Sequence, residues 1–286
     1  VALSAHDILL AAASRAERAP ATTGRFWHVR TMGVVGPDRV GTAPNQYDLV
    51  SRYLSETWMA RNPADRNWEG DLLLGYHPRS AADQRAWRAA GSPDHWDIAT
   101  DSVSGTRRLT AAPSAPHFAP YDQTVPFLDD LGGFDVAGLN ALPRDPAQLR
   151  ALLAARIASH LGQRAGSPEG NLILFIRLSD LLLQTPAPPK VRAAAFTAIA
   201  AIPGVRSTGT VTDADGRSGL GIELNRTTGG VKELNKIVID PSTYLVLGQD
   251  YVASLAGRSG GRPLKEGNSV VVTAEWTDRT PTAPTG

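Results

Sequence analysis

The segments Val205-Arg-Ser-Thr-Gly-Thr-Val211, Thr212-Asp-Ala-Asp-Gly-Arg217 and Ser218-Gly-Leu-Gly-Ile-Glu-Leu224 read as strand, turn and strand. Asp215-Gly216 supplies the positive-φ positions that a tight hairpin needs. A second unit follows, in which Lys236-Ile-Val-Ile-Asp240 and Tyr244-Leu-Val-Leu247 flank Asp240-Pro241-Ser242-Thr243. The ring of Pro241 sets its φ in advance, and Asp240 can bond the turn through its carboxylate. Two consecutive hairpins in one antiparallel sheet are therefore predicted across 205–247. Ser269-Val-Val-Val-Thr-Ala-Glu-Trp276 adds a terminal strand, followed by a polar tail, 279–286.

Helices lead into this meander. Asp145 and Pro146 are an N-cap and a first-turn proline for a helix running to about His160. The apolar run 172–184 reads as a buried helix, with a strand as the alternative because 172–178 shows no period. Its polar residues Arg177, Ser179, Asp180 and Gln184 are expected to face water. A third helix, 191–201, closes at Pro203-Gly204. Before residue 142 the pattern is richer in strands. A helix over 4–18, with Ser4 or Asp7 at its start, gives way to strands at 25–35, 47–60 and 71–76. An exposed helix at 80–90 is capped by Ser80, and 91–126 shows no regular pattern.

The expected fold class is α+β: a curved antiparallel sheet, resembling an unclosed barrel, with packed helices that include a three-helix insertion near 145–204. We expect one domain over 1–278, made of a β-rich region (residues 1–141), a helical segment (142–204) and a meander (205–278).

The chain has 286 residues, with 42% hydrophobic and 20% charged content, which is the balance of a folded globular chain. A net charge of +1 gives no electrostatic case for nucleic acid or an anionic membrane surface. Without cysteine, thiolate catalysis and cysteine metal sites are excluded. No apolar run reaches the roughly 18 residues that span a bilayer. The chain starts at Val1, inside a helical pattern, as an ectodomain released from an upstream signal or anchor would.

Few motifs carry chemistry. Gly257-Arg-Ser-Gly-Gly261 has the spacing of a nucleophile elbow, but Arg262-Pro263 and Gly267 leave no room for the helix that would hold Ser259 on a strained turn. Asp213-Ala-Asp215-Gly216 begins like a calcium loop, yet Ser218 and Leu224 occupy the positions that need glycine and a bidentate carboxylate. None of the histidines is spaced as a zinc pair. His77, His95 and His117 could meet only through the fold. No catalytic residue, metal or cofactor is expected. Trp27, Trp58, Trp68, Trp87 and Trp96 crowd the first hundred residues, either as core or as the wall of an apolar groove. The candidate lining residues are Phe26, Trp27, Met32, Trp58, Trp96 and Phe175.

A family resemblance rests on Leu142-Pro-Arg-Asp-Pro-Ala-Gln-Leu149, Leu181-Leu-Leu-Gln-Thr-Pro-Ala-Pro-Pro189, Val191-Arg-Ala-Ala-Ala-Phe196, Val211-Thr-Asp-Ala-Asp-Gly-Arg217, Ile239-Asp-Pro-Ser-Thr-Tyr-Leu-Val-Leu-Gly248 and Ala274-Glu-Trp-Thr-Asp278. These resemble an uncharacterised actinobacterial family of membrane-anchored proteins with an extracytoplasmic domain, often encoded beside extracytoplasmic-function sigma factors. The hairpin at 237–247 is also similar to one in periplasmic lipoprotein carriers and anti-sigma-factor regulators, which are unclosed barrels with helices in the concavity. The three helices of 146–204 exceed what such carriers usually hold. The resemblance implies an extracytoplasmic, non-enzymatic binding or sensory domain, possessing no catalytic motif to carry over. Its implied partners are a regulatory protein or, in a carrier, a lipid or other apolar molecule held between sheet and helices. On the carrier reading helix 172–184 roofs a cavity; on the other, which we favour on packing grounds, it fills the concavity.

Overall fold

The computed structural model describes residues 3–99, 105–122, 126–257 and 262–286. Ser259 and its loop lie outside the described residues. Among the described residues there are eleven strands: β1 Phe26–Val40, β2 Tyr47–Ala60, β3 Asn67–Pro78, β4 His95–Ala99, β5 Thr106–Thr110, β6 His117–Tyr121, β7 Arg206–Thr212, β8 Ser218–Thr228, β9 Val231–Ile239, β10 Val246–Leu255 and β11 Lys265–Thr277. The helices are α1 Ala5–Glu17, α2 Ala81–Ala89, α3 Val136–Asn140, α4 Pro146–Leu161, α5 Pro168–Gln184 and α6 Pro189–Ala200. Nine strands form one curved, open antiparallel sheet in the order β6-β3-β2-β1-β11-β10-β9-β8-β7, and β4 and β5 form a separate hairpin. The fold is α+β, and strands from both β-rich regions of the chain share the large sheet.

Both expected hairpins are present in it. In the β7–β8 turn it is Asp213, more than Asp215, that organises the chain: its Oδ1 accepts from the backbone N–H of Asp215 at 3.0 Å and of Arg217 at 2.8 Å. Gly216 takes φ +81°. In the β9–β10 turn Asp240 Oδ1 accepts from the N–H groups of Ser242 at 2.7 Å and Thr243 at 2.9 Å. Together with the Ser242 hydroxyl, these bonds hold the Asp240 carboxyl below the usual carboxylate range. A third hairpin joins the two. β8 extends to Thr228 and turns back at Val231 through Gly229-Gly230, with φ +58° and +77°, the two left-handed positions of a two-residue hairpin loop.

The segment 91–126, read as irregular, contains β4, β5 and β6. The β4–β5 hairpin folds over a small second core of Val40, Tyr47, Leu49, Tyr76, Trp96 and Leu109. β1 continues through Gly36-Pro37-Asp38, where its pairing with β2 shifts between Val35 and Asp38.

The main core lies on the sheet's inner face. α5 packs against β8, β9, β10 and β11, α4 and α6 lie against α5, and α1 packs on α6. Leu149, Leu153 and Ile157 make the buried stripe of α4 at four-residue spacing. The alanines of α6, Ala194, Ala195 and Ala198, meet Ala12 and Ala13 of α1 within one buried cluster, where small side chains permit close helix approach. α5 departs from expectation, because Ser179 and Asp180 are buried and not in water. The Ser179 hydroxyl donates to the Phe175 carbonyl at 2.7 Å, and Asp180 pairs with Arg177 at 2.7 Å, itself bridged to Asp130 at 2.6 Å. Burial still pushes the Asp180 carboxyl up, against the pull of Arg177.

Candidate functional site

Helix α5 lies over β8–β11, and the carbonyl of its last residue, Gln184, reaches β1 by accepting from the Trp27 indole. At its C-terminal end a cleft of about 640 Å³ opens between sheet and helices. Its origin lies in the sheet. β10 and β11 pair from Ala253↔Lys265 to Gly248↔Val270, and there the ladder ends. β11 continues beside β1 to Thr277, while β10 turns back to β9. The backbone carbonyls of Leu247 and Val271, the next residues in register, are left without a ladder partner across the split.

Arg217, from the β7–β8 turn, is wedged into this split. Its Nη2 donates to the Leu247 carbonyl and its Nη1 to the Val271 carbonyl, both at 3.0 Å. Nε is held by the buried Asp213 carboxylate at 2.7 Å. One guanidinium thus satisfies two orphaned carbonyls and keeps the strands apart. On the β11 side Val272 is the extra residue of a bulge, falling between the pairs Arg30↔Thr273 and Thr31↔Val271.

The walls are more apolar than polar, with Thr22, Thr23, Asn140 and Thr185 among the side chains that line them. Trp27 and Trp276 meet edge to face at 5.7 Å, and the Trp27 indole N–H donates to the Gln184 carbonyl at 2.9 Å. Leu182 and Leu183 come from the end of α5, Pro186 and Pro188 from the linker to α6, and Pro189 from the first turn of α6. Val272 and Leu245, exposed by 47% and 55%, make an apolar lip. Among the described residues, three arginines complete the lining, Arg61, Arg192 and Arg217, and no carboxylate contributes to it. Arg192 donates to the Leu182 carbonyl at 2.8 Å and forms no ion pair among the described residues. Burial pushes its guanidinium down to about 10, so it remains a cation at neutral pH.

Of the candidate lining residues only Trp27 borders this cleft. Strand alternation sends its neighbour Phe26 to the opposite, outer face, where the Arg25 guanidinium lies 5.0 Å above its ring. Trp58 is on that outer face too, stacked on His28 at 3.7 Å. Met32 borders a separate crevice of about 30 Å³ with Gly33, Tyr53 and Val270. Trp96 belongs to the second core, its indole N–H donating to the Tyr47 hydroxyl at 2.7 Å. Phe175 is buried inside the main core. Sequence reasoning missed Arg217, Arg192 and Trp276. For Arg217 one signal was available, an arginine four residues after the turn's first aspartate.

Among the described residues no group of three or more His, Asp or Glu side chains is arranged to hold a metal ion, and no helix is long and apolar enough to cross a membrane. No known family model and no curated protein sequence matches the chain.

Proposed function

We propose that this is a non-enzymatic binding domain that holds an elongated apolar molecule with an anionic end in the cleft between β10, β11 and the α5–α6 linker. The single observation that carries this is the composition of the lining: walls more apolar than polar, three arginines and, among the described residues, no carboxylate around about 640 Å³. That volume lies in the range of small-molecule sites. Arg192 supplies the polarity, as a partly desolvated cation whose cost an anion would offset. The family resemblance adds an extracytoplasmic location, a membrane anchor and a link to envelope signalling, with the ligand as the sensed or carried species. Protease accessibility of the membrane-bound protein in intact cells checks that location.

The test is a titration with a long-chain fatty acid and with the alcohol of the same chain length. Saturable one-to-one binding of the acid is expected, at least ten-fold weaker for the alcohol. Arg192→Met should narrow that difference, and Ala274→Trp, which fills the cleft, should abolish both. Absence of saturable uptake by the wild type, or uptake unaffected by Ala274→Trp in a folded protein, would overturn the reading and favour a packed module whose partners bind outside.

A further inference from the structure

The outer face of the sheet, opposite the cleft, carries a second arrangement. Register places three rows there: His28, Trp58 and Trp68; then Arg30, Glu56, Gly70 and Phe118; then Met32, Leu54 and Leu72. Trp68 and Phe118 stack at 5.1 Å. Gly70, lacking a side chain, leaves a notch beside that aromatic pair. The segment 279–286 crosses this face and seats the Pro284 ring in the notch, its Cδ only 2.6 Å from where a Cβ on Gly70 would stand. Pro284 is buried, and Arg30 donates to the Thr285 carbonyl at 2.7 Å. Gly286 lies over Leu72 and Leu74.

Among the described residues, 279–286 makes no backbone–backbone hydrogen bond. It does not extend the sheet as a strand. A proline ring in an aromatic-flanked notch and one donor to a neighbouring carbonyl hold it, which is how proline-rich segments are recognised. Pro281-Thr-Ala-Pro284 has the three-residue spacing of one polyproline II turn. The strap also leaves capacity unused, since the indole N–H of Trp58 is buried on this face without an acceptor.

We infer that this outer groove is a recognition site for an extended, proline-containing segment of another protein, and that 279–286 is its cis placeholder. The strap is the template for the chemistry of the occupant. The unpaired Trp58 N–H leaves room for a segment that supplies one more carbonyl. Tethering gives the strap a high effective concentration, so an outside segment competes only when it binds better or when the strap is weakened.

The test uses the full chain and a synthetic peptide of sequence 279–286, with the Trp58 indole N–H resonance as readout. Pro284→Ala should bind the peptide at least ten-fold more tightly than the wild type does, while fatty-acid uptake at the cleft stays unchanged. A folded Pro284→Ala protein that binds the peptide no better than the wild type would overturn the inference. Gly70→Ala gives an independent measurement, because its Cβ meets the strap. Trypsin cleavage after Arg279, followed by mass spectrometry, should be at least ten-fold faster than in the wild type; an unchanged rate would also overturn it. A dimer that the peptide dissolves would assign the groove to a second copy's strap and overturn the foreign segment.

Discussion

The two faces of the sheet are covered in opposite ways. Over the inner face lie α5, then α4 and α6, then α1, joined in one cluster that includes Leu9, Leu153, Phe175, Leu178 and Phe196. Over the β1–β3 region of the outer face lies a strap of eight residues, and beneath it sit His28, Glu56 and Arg30 among aromatic rings. The thick cover can hold shape around a split in the sheet, because removing one wall leaves the others packed. The thin cover can exchange, because little holds it. A preformed cleft and a replaceable strap are thus consequences of how much apolar area each face buries.

The largest expected effect tests the thick side. Phe175 is 1% exposed at the centre of α5, and Phe175→Ala should cost about 3–5 kcal/mol, measured by urea unfolding. A loss under about 1 kcal/mol would mean that the helical cover is not the main store of stability, and the contrast would fail.

Next comes the wedge. Arg217→Met keeps the length of the side chain but leaves the Leu247 and Val271 carbonyls without a donor and Asp213 without its cation. Each unsatisfied buried group costs about 1–3 kcal/mol, and water entering the open cleft offsets part of this, so a net loss of about 2–3 kcal/mol is expected. Fatty-acid uptake should fall with it, because the split would close or collapse. Unchanged stability and uptake would show that the strands part for another reason.

These two residues also mark how far the sequence could be read. Phe175 sits in an apolar run read as a buried helix, with a strand as the alternative, and the hairpin turns announced themselves through Asp-Gly and Asp-Pro. Local chemistry decided those elements, and it was legible. Arg217 could be placed in a turn, but its targets come from two strands 30 and 54 residues away, and no local pattern encodes them. The β8–β9 hairpin went unread although Gly229-Gly230 is a strong turn signal, because Asn225 to Asn235 is too polar to look like strand. The tryptophans were grouped by sequence position. Alternation then divided Trp27 from Trp58 across the sheet, and a separate hairpin took Trp96. The strap reads as a polar tail because a proline becomes a buried contact only where a distant glycine makes room.

On the thin side, Pro284→Ala removes a ring from the notch at Gly70 and should cost about 1–2 kcal/mol, some of it through the freer unfolded chain. If it cost as much as Phe175→Ala, the strap would be core and not cover.

The smallest effect concerns pH and also belongs to the outer face. His28 is buried, its Nε2 3.1 Å from Glu56 Oε2 and its ring stacked on Trp58. Glu56 is shared with Arg30 at 2.9 Å, and Arg279 and Glu275 act on the ring from further off. Burial lowers the imidazole pKa below its ordinary value of 6.5, outweighing the attraction of Glu56. The hydrogen bonds agree, because Nδ1 has no partner and a second proton there would be a buried donor without an acceptor. Between the folded and unfolded pKa values the unfolded chain therefore binds more protons, and stability falls as pH drops through 6.5. For one group the loss from pH 7 to pH 5.5 is at most about 1 kcal/mol. Unfolding free energies of the wild type and of His28→Gln, compared at both pH values, isolate this contribution from that of the carboxylates. The wild type should lose up to about 1 kcal/mol more than the variant. If the two lost the same, His28 would already be solvated beneath the strap, and the outer cover would be looser still than its contacts imply.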